Sequence, residues 1–490
     1  VEFAGEAEEV EDGYRFSVVG KGTATITFTS VDNPSVSATC TVTVKKRVTR
    51  MSFDGDVYDM YNDGEVNHGT LTFYPTDADF DIDNLTINVN ADDLPENWVA
   101  AEVNQLDMAD GILQLEIVPR ALCQYYSIEF IYAEPTDEGT DPLVQSVEGS
   151  IREKVTLGSG WSWVSFISAG VSVYEIENAL VEARSREQLV FNDAEWGLFG
   201  DLSWMDQSQA YKLNIKDQLE TGEVVLYPME GDGATEIAPK SFDKGWNWVS
   251  YPYEFRYAVE DIFAAANFSE NDMILSKDGG FMQRNAAGEW EGSLTELVPN
   301  QGYMIYCNAA FELEMRQRTE LEQGYFRNIA PEEAPSRMRS VWNYDASKFA
   351  NTMAVVAKVD IENTDDYTIG AFVGEECRGE GKFINGKAFI SVAGKNGDVV
   401  TFRLYNKWTE EFTDITTEVM FTDMAGSIKA PLSFGLLEGT TGIVDINTID
   451  NNNVEAIYDI TGRKVEQMTE GIYVIKVREG DKIVTKKVRK

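Results

Sequence analysis

Histidine is nearly missing from this sequence: its 490 residues contain one, His68. Most imidazole chemistry goes with it. A Ser-His-Asp or Cys-His nucleophile site has no second candidate base, and a His-based zinc cluster cannot be assembled. His68 falls in "NDGEVNHGT", which reads as an exposed loop. The signatures HExxH, GxSxG, the P-loop and GxGxxG are all absent. Cysteine is scarce as well. Cys40, Cys123, Cys307 and Cys377 lie far apart, with no CxxC pair and no disulfide ladder, and are expected to be four buried free thiols. No run reaches the roughly 18 apolar residues of a membrane helix. The opening "VEFAGEAEEVEDGYRF" lacks the basic start and apolar run of a signal peptide. As it also lacks Met, the chain is expected to be cut from a longer one.

Positive charge is the other deficit. Against 83 Asp and Glu stand 41 Lys and Arg, a net charge of −42. Such a surface repels phosphates, so nucleic acid and anionic lipid are discounted as partners. So many carboxylates guarantee fortuitous pairs. Glycosidase chemistry needs a preformed cleft between two of them, which short sandwiches rarely supply alone, so no catalytic residue is assigned. At 43% hydrophobic and 11% aromatic the chain can bury real cores. Its length exceeds the roughly 250–300 residues at which one core stops growing, so several domains are expected.

The fold class expected is mainly β: tandem β-sandwich domains, a duplicated α+β module in the middle, and a small β domain at the C-terminus. In Gly20–Lys46 two alternating runs flank the turn at Asp32–Pro34, a hairpin pattern. Residues 48–154 carry "GTLTFYP", "LTINVNA", "ILQLEIVP" and "YYSIEFIYA", short alternating runs that suit a sandwich. Residues 326–440 return to that pattern, with "INGK" and "GKNGD" as turns. Residues 441–490 hold three short strands.

Between them lies the most specific internal signal. "GWSWVS" at Gly160–Ser165 returns as "GWNWVS" at Gly245–Ser250. A helix is expected after each, capped in the first by Ser172 and Glu175, with Val173, Ile176 and Leu180 on one face. In the second, Val259, Ile262, Phe263 and Ala266 share a face. "EQLVFND" then aligns with "NDMILSKD", Glu195–Trp196 with Glu289–Trp290, Leu202 with Leu294, and Ala210–Tyr211 with Gly302–Tyr303. The modules are placed at 155–235 and 236–325. Trp161 and Trp163 point to one side of a strand, with Val164 and Phe166 on the other. A strand apolar on both faces is normally covered on both. The pairs therefore read as core rather than as sugar platforms. Trp196, Trp290 and Trp408, near turns, are the better candidates for stacking a ligand. In "DADFDID", Asp77, Asp79, Asp81 and Asp83 at period two are candidate calcium ligands, the one cofactor considered, against the plainer reading of a solvated acidic loop.

Two stretches carry a family resemblance. "GTATIT" with "ATCTVTV" resembles the closing half of bacterial Ig-like domains of group 2, which makes 1–47 a partial domain. "YDITGRKV", "GIYVIKV" and "KKVRK" resemble the C-terminal sorting domains of proteins exported by the type IX secretion system of Bacteroidota. The family's "GxxV" turn, "GIYxxxV" strand and Lys-rich last strand match Gly462–Val465, Gly471–Val477 and Lys482–Lys490; its "YPNP"-like segment is absent. Gly462, Gly471, Tyr473, Lys486 and Lys487 are the residues so implied. The tail is basic, with nine Lys and Arg against four acids from Arg463 onward. The "GWNWVS…GYMIY" module and "IGAFVGEECRG" also look like segments of large surface proteins of that group. The resemblance implies a secreted, cell-surface, non-catalytic stalk or adhesin. Its partners would be a glycan or surface-protein ligand and the secretion machinery. The alternative is the accessory region of an exported hydrolase whose catalytic domain precedes Val1.

Overall fold

The computed structural model describes residues 8–11, 13–18, 20–133, 141–217, 223–229, 237–263, 268–324, 341–436, 440–445, 454–459, 464–465, 467–469, 471–479 and 482–489. The chain is mainly β and divides into two compact units, Val1–Lys154 with Leu321–Ile329, and Val155–Glu320 with Ala330–Lys490.

In the first unit, Gly22–Thr29 pairs in full register with Ser37–Val44. This hairpin forms a sheet of its own, and its residues are exposed or half-buried. Cys40 on it is exposed, whereas Cys123 and Cys307 are buried and Cys377 is half-buried. The expectation of four buried thiols fails at Cys40, where no described second sheet covers the strand, and is met only in part at Cys377. A sandwich follows. One sheet orders Arg50–Gly55, Asn67–Tyr74, Ile112–Pro119 and Ala101–Ala109; the other orders Asp59–Tyr61, Leu143–Arg152, Cys123–Tyr132 and Leu85–Asn90. Leu71 and Phe73 from the first and Ile128 and Phe130 from the second are fully buried. Their period of two puts polar neighbours outside. Leu321 and Gln323, grouped by sequence with the second repeat, pack on this sandwich: the Trp98 indole donates to the Leu321 carbonyl, and Gln323 bonds the Val99 backbone.

The second unit contains the repeat. Each copy is a five-stranded antiparallel sheet with two small two-stranded sheets beside it. The orders match: Gly160–Val164, Tyr211–Ile215, Leu180–Arg184, Leu189–Asp193, Gly197–Gly200 in one; Gly245–Val249, Tyr303–Cys307, Met273–Ser276, Phe281–Arg284, Trp290–Gly292 in the other. The registers match too, with Trp163 opposite Lys212 and Trp248 opposite Met304. So do fine details: the Tyr211 hydroxyl accepts from Asp206 N, and the Tyr303 hydroxyl from Val298 N, five residues upstream in both. This topology corrects part of the sequence alignment. Leu189–Asp193 corresponds to Phe281–Arg284, and the partner of Met273–Ser276 is Leu180–Arg184.

Helix is a minor part of each copy. Val173–Ile176 is a 3-10 turn whose N-cap, Ser172, accepts from Tyr174 N. Leu180, expected on a helix face, instead opens a strand. Val259–Phe263 is a short α-helix, and Ala266 lies outside the described residues. The first still covers the face opposite the tryptophans, where Val164, Phe166, Val173 and Ile176 form one core, and Val259, Ile262 and Phe263 of the second are buried. The copies meet at equivalent points. Val164 bridges Gln301, and a Cβ on Gly302 would come within 2.7 Å of the Ala210 Cβ, so only glycine fits there.

Residues 351–434 form one curled eight-stranded sheet, running Phe412–Met420, Val399–Asn406, Tyr367–Val373, Glu376–Ile384, Lys387–Gly394, Asn351–Val359 and Met424–Ala425, with Leu432–Phe434 on Asn351–Val359. The curl brings the ends together, since Ile415 bridges Leu436. Met353, Val355 and Ala357 point into its own core. Ala354 and Val356 point outward, where they and Phe389 pack against Trp163, Met273, Leu275 and Phe281 of the repeat.

The tail is a five-stranded sheet ordered Thr440–Asp445, Lys482–Arg489, Ile472–Glu479, Val454–Asp459 and Lys464–Val465. Tyr473, Ile475 and Val477 are buried, while Lys476 on the other face is exposed.

Candidate functional site

The tryptophan pairs lie between the repeat and the curled sheet. Trp163 is buried and its indole donates to the Ala350 carbonyl at 2.9 Å; Trp161, Trp246 and Trp248 are half-buried. The Lys212 ammonium sits 4.6 Å from the Trp163 ring and 4.6 Å from the Trp248 ring. It donates to Asn351 Oδ1 at 2.9 Å. One tryptophan from each copy thus encloses a lysine of the first. Burial, with the Arg184 and Lys277 charges adding and Asp423 opposing, lowers the lysine to about 7. Trp161 carries the Arg184 guanidinium 4.8 Å from its ring, and Trp246 meets Tyr306 edge-on. The motif therefore seals three sheets together.

The three turn tryptophans divide. Trp290 is half-buried, edge-on to Phe268 at 5.0 Å, with the Arg284 guanidinium 5.4 Å from its ring. Trp196 and Trp408 stand in solvent, 77% and 80% exposed. Trp196 tips the hairpin of Leu189–Asp193 and Gly197–Gly200, whose Phe191 and Phe199 are also exposed. Trp408 tips the hairpin of Val399–Asn406 and Phe412–Met420, and is held in place: its indole donates to Asp366 Oδ1 at 2.7 Å and its backbone N–H to Asn406 Oδ1.

The four aspartates do not converge. Asp77 pairs with Lys46, whose hydrogen bond lowers its pKa. Asp79 accepts from Lys46 N and faces Lys21. Asp81 caps the 3-10 turn Ile82–Asn84 by accepting from Asp83 N. Among the described residues no group of three or more His, Cys, Asp or Glu is placed to hold a metal ion. His68 is not in a loop; it lies on the strand Asn67–Tyr74 opposite Glu116, exposed. Of the sorting residues, Gly471 and Tyr473 are described, with Tyr473 buried and its hydroxyl bonded to Thr469 N. Lys486 and Lys487 lie on the last strand, and Gly462 is outside the described residues.

A cleft of about 540 Å³ that no sequence motif announced opens on the outer face of the curled sheet. Strand parity builds it. Phe402 and Leu404 point into the core, so Arg403 and Tyr405 point out. Cross-strand rows then place Gly370 beside Arg403 and Asp414, and Thr368 beside Tyr405 and Phe412. Trp342 lies over Gly370, where a Cβ would come within 2.6 Å of its ring, and its indole donates to Thr368 Oγ1. Phe412 meets Trp342 edge-on at 5.4 Å and stays 51% exposed. Arg403 is fixed on three sides: its guanidinium is 4.7 Å from the Phe372 ring, its Nε is 3.0 Å from Asp414, and its Nη2 is 3.7 Å from Glu375. Asn343 and Cys377 complete the wall, and burial pushes the Cys377 thiol up, away from the reactive thiolate. The cleft offers stacking surface and immobilised polar groups.

No protein-family model matches the chain, and no curated protein sequence matches it. Among the described residues no helix is long and apolar enough to cross a membrane.

Proposed function

We propose that this chain is a non-catalytic part of a secreted, cell-surface multidomain protein, a stalk or adhesin that binds a glycan or surface ligand through displayed aromatic side chains. The observation that supports this reading is Trp408. A large indole kept 80% in water gains nothing by burial, yet Asp366 and Asn406 fix its position. Ordering an exposed aromatic suits a residue that stacks on a partner. The basic C-terminal sheet serves, in this reading, as the export address. A glycan array probed with the wild-type chain and Trp408→Ala tests the binding role. Signals that the variant loses support it; identical profiles count against it. Removing 442–490 from the full-length protein in its native host should stop surface display, and continued display would reduce the tail to a structural cap.

A further inference from the structure

We infer that the cleft formed by Trp342, Phe372, Arg403, Phe412 and Asp414 is a binding site for an uncharged saccharide, with the exposed Phe412 ring as its stacking platform; the inference rests on the ligand-binding reading just given. The volume, about 540 Å³, lies in the range of small-molecule sites. A purely apolar ligand would strip water from Asp414, Glu375 and Asn343 without replacing its hydrogen bonds, which is costly. An anion would meet one guanidinium already flanked by two carboxylates, Asp414 and Glu375, within a chain of net charge −42. A cation would find the face of Phe372 already taken by Arg403, which repels a second positive charge.

A pyranoside fits what is left. Its C–H face is apolar and flat enough to lie on Phe412. Its hydroxyls both donate and accept, and the wall supplies guanidinium N–H donors and a carboxylate acceptor on strands, from Arg403 and Asp414, with the Glu375 carboxylate and the Asn343 amide added by an adjoining turn and loop. The bond of Arg403 to Asp414 and its seat on the Phe372 ring hold these two groups in position before a ligand arrives, so less ordering is left to oppose binding. Trp342 does not stack on the ligand. It is 6% exposed, seated on Gly370, and forms the floor against which Phe412 is propped.

The test is calorimetric titration of the whole chain with a panel of neutral hexasaccharides (α- and β-glucan, xylan and mannan types), an anionic oligogalacturonate, and an oligolysine peptide. Wild type is compared with Phe412→Ala, Asp414→Asn and Trp408→Ala. The half-exposed position of Phe412 leaves the fold intact, which near-ultraviolet circular dichroism checks. The expected result is binding of at least one neutral sugar, unchanged by salt. It weakens about tenfold or more in Phe412→Ala and in Asp414→Asn, and by less in Trp408→Ala. Neutral-sugar binding lost in Trp408→Ala and kept in Phe412→Ala would overturn the cleft while leaving the ligand-binding reading intact. Binding of oligolysine or oligogalacturonate alone would overturn the uncharged-saccharide assignment. Failure of every ligand would remove both.

Discussion

Lys212→Met should make this protein more stable at neutral pH, and the repeat itself contains the reason. At the equivalent register position the second copy already carries Met304 opposite Trp248, whereas the first has Lys212 opposite Trp163. The lysine is 4% exposed and its amine titrates at about 7, against 10.5 for a free lysine. That difference corresponds to about 5 kcal/mol against the charged form. Two indole faces return about 0.5–2 kcal/mol each, and the bond to Asn351 about 1 kcal/mol, so the net cost is up to about 3 kcal/mol. The folded value lies below the unfolded one. The unfolded chain therefore holds the proton more tightly between about pH 7 and 10.5, and stability rises with pH through that window. Below it the penalty is fully present. Urea unfolding of wild type and Lys212→Met at steps from pH 6 to pH 10 is the assay. The advantage of the variant should be largest at the acid end and shrink as pH rises. A variant less stable than wild type by a pH-independent amount would refute the reasoning and make the caged ammonium a net stabiliser.

Three further outcomes are expected. Trp163→Ala should cost about 3–5 kcal/mol by denaturant unfolding, since it empties a core position shared by the repeat and the curled sheet and removes the bond to Ala350; a loss below about 1 kcal/mol would contradict its placement. Arg318→Leu should cost about 3–5 kcal/mol, because Glu254, with a side chain 2% exposed, would lose a guanidinium that bonds both its oxygens at 2.9 Å; the double replacement with Glu254→Leu should recover most of it, and no recovery would refute the pairing. In the native monomer a thiol reagent should label Cys40 first and Cys307 last, since burial raises the latter thiol to about 12; mass spectrometry showing any Cys–Cys crosslink would contradict four free thiols.

The residues that were legible in the sequence are those whose environment is set by local pattern. Trp161–Trp163 and Trp246–Trp248 announced a duplicated strand because period two fixes their side whatever they pack on. In the tail the same period sets Tyr473, Ile475 and Val477 on one face, but Ile472 and Val474 make the other apolar too, so the buried face was not legible. The helices were legible only in part. Val173, Ile176 and Leu180 satisfy a helical spacing, but so short an apolar run cannot separate a helix from a turn leading into a strand. That ambiguity mis-threaded the alignment of the copies. At 77–83 the spacing of the aspartates left a ligand set open beside the plainer acidic loop, because spacing does not reveal that Lys46 and Lys21, over 30 residues upstream, reach them. The cleft was hidden for a different reason. Its walls come from four separated segments, and Trp342 lies over Gly370 only because two distant positions are a large ring and a missing side chain.

Oxidative footprinting of the ten tryptophans in the folded chain, read by mass spectrometry, decides whether the paired tryptophans are sealed between sheets while Trp196 and Trp408 stand in solvent. The account predicts rapid modification of Trp408 and Trp196, slow modification of Trp161, Trp246 and Trp248, and protection of Trp163 and Trp342 until unfolding. Modification of Trp163 or Trp248 as fast as that of Trp408 would contradict it and return the repeated motif to the role of a ligand platform.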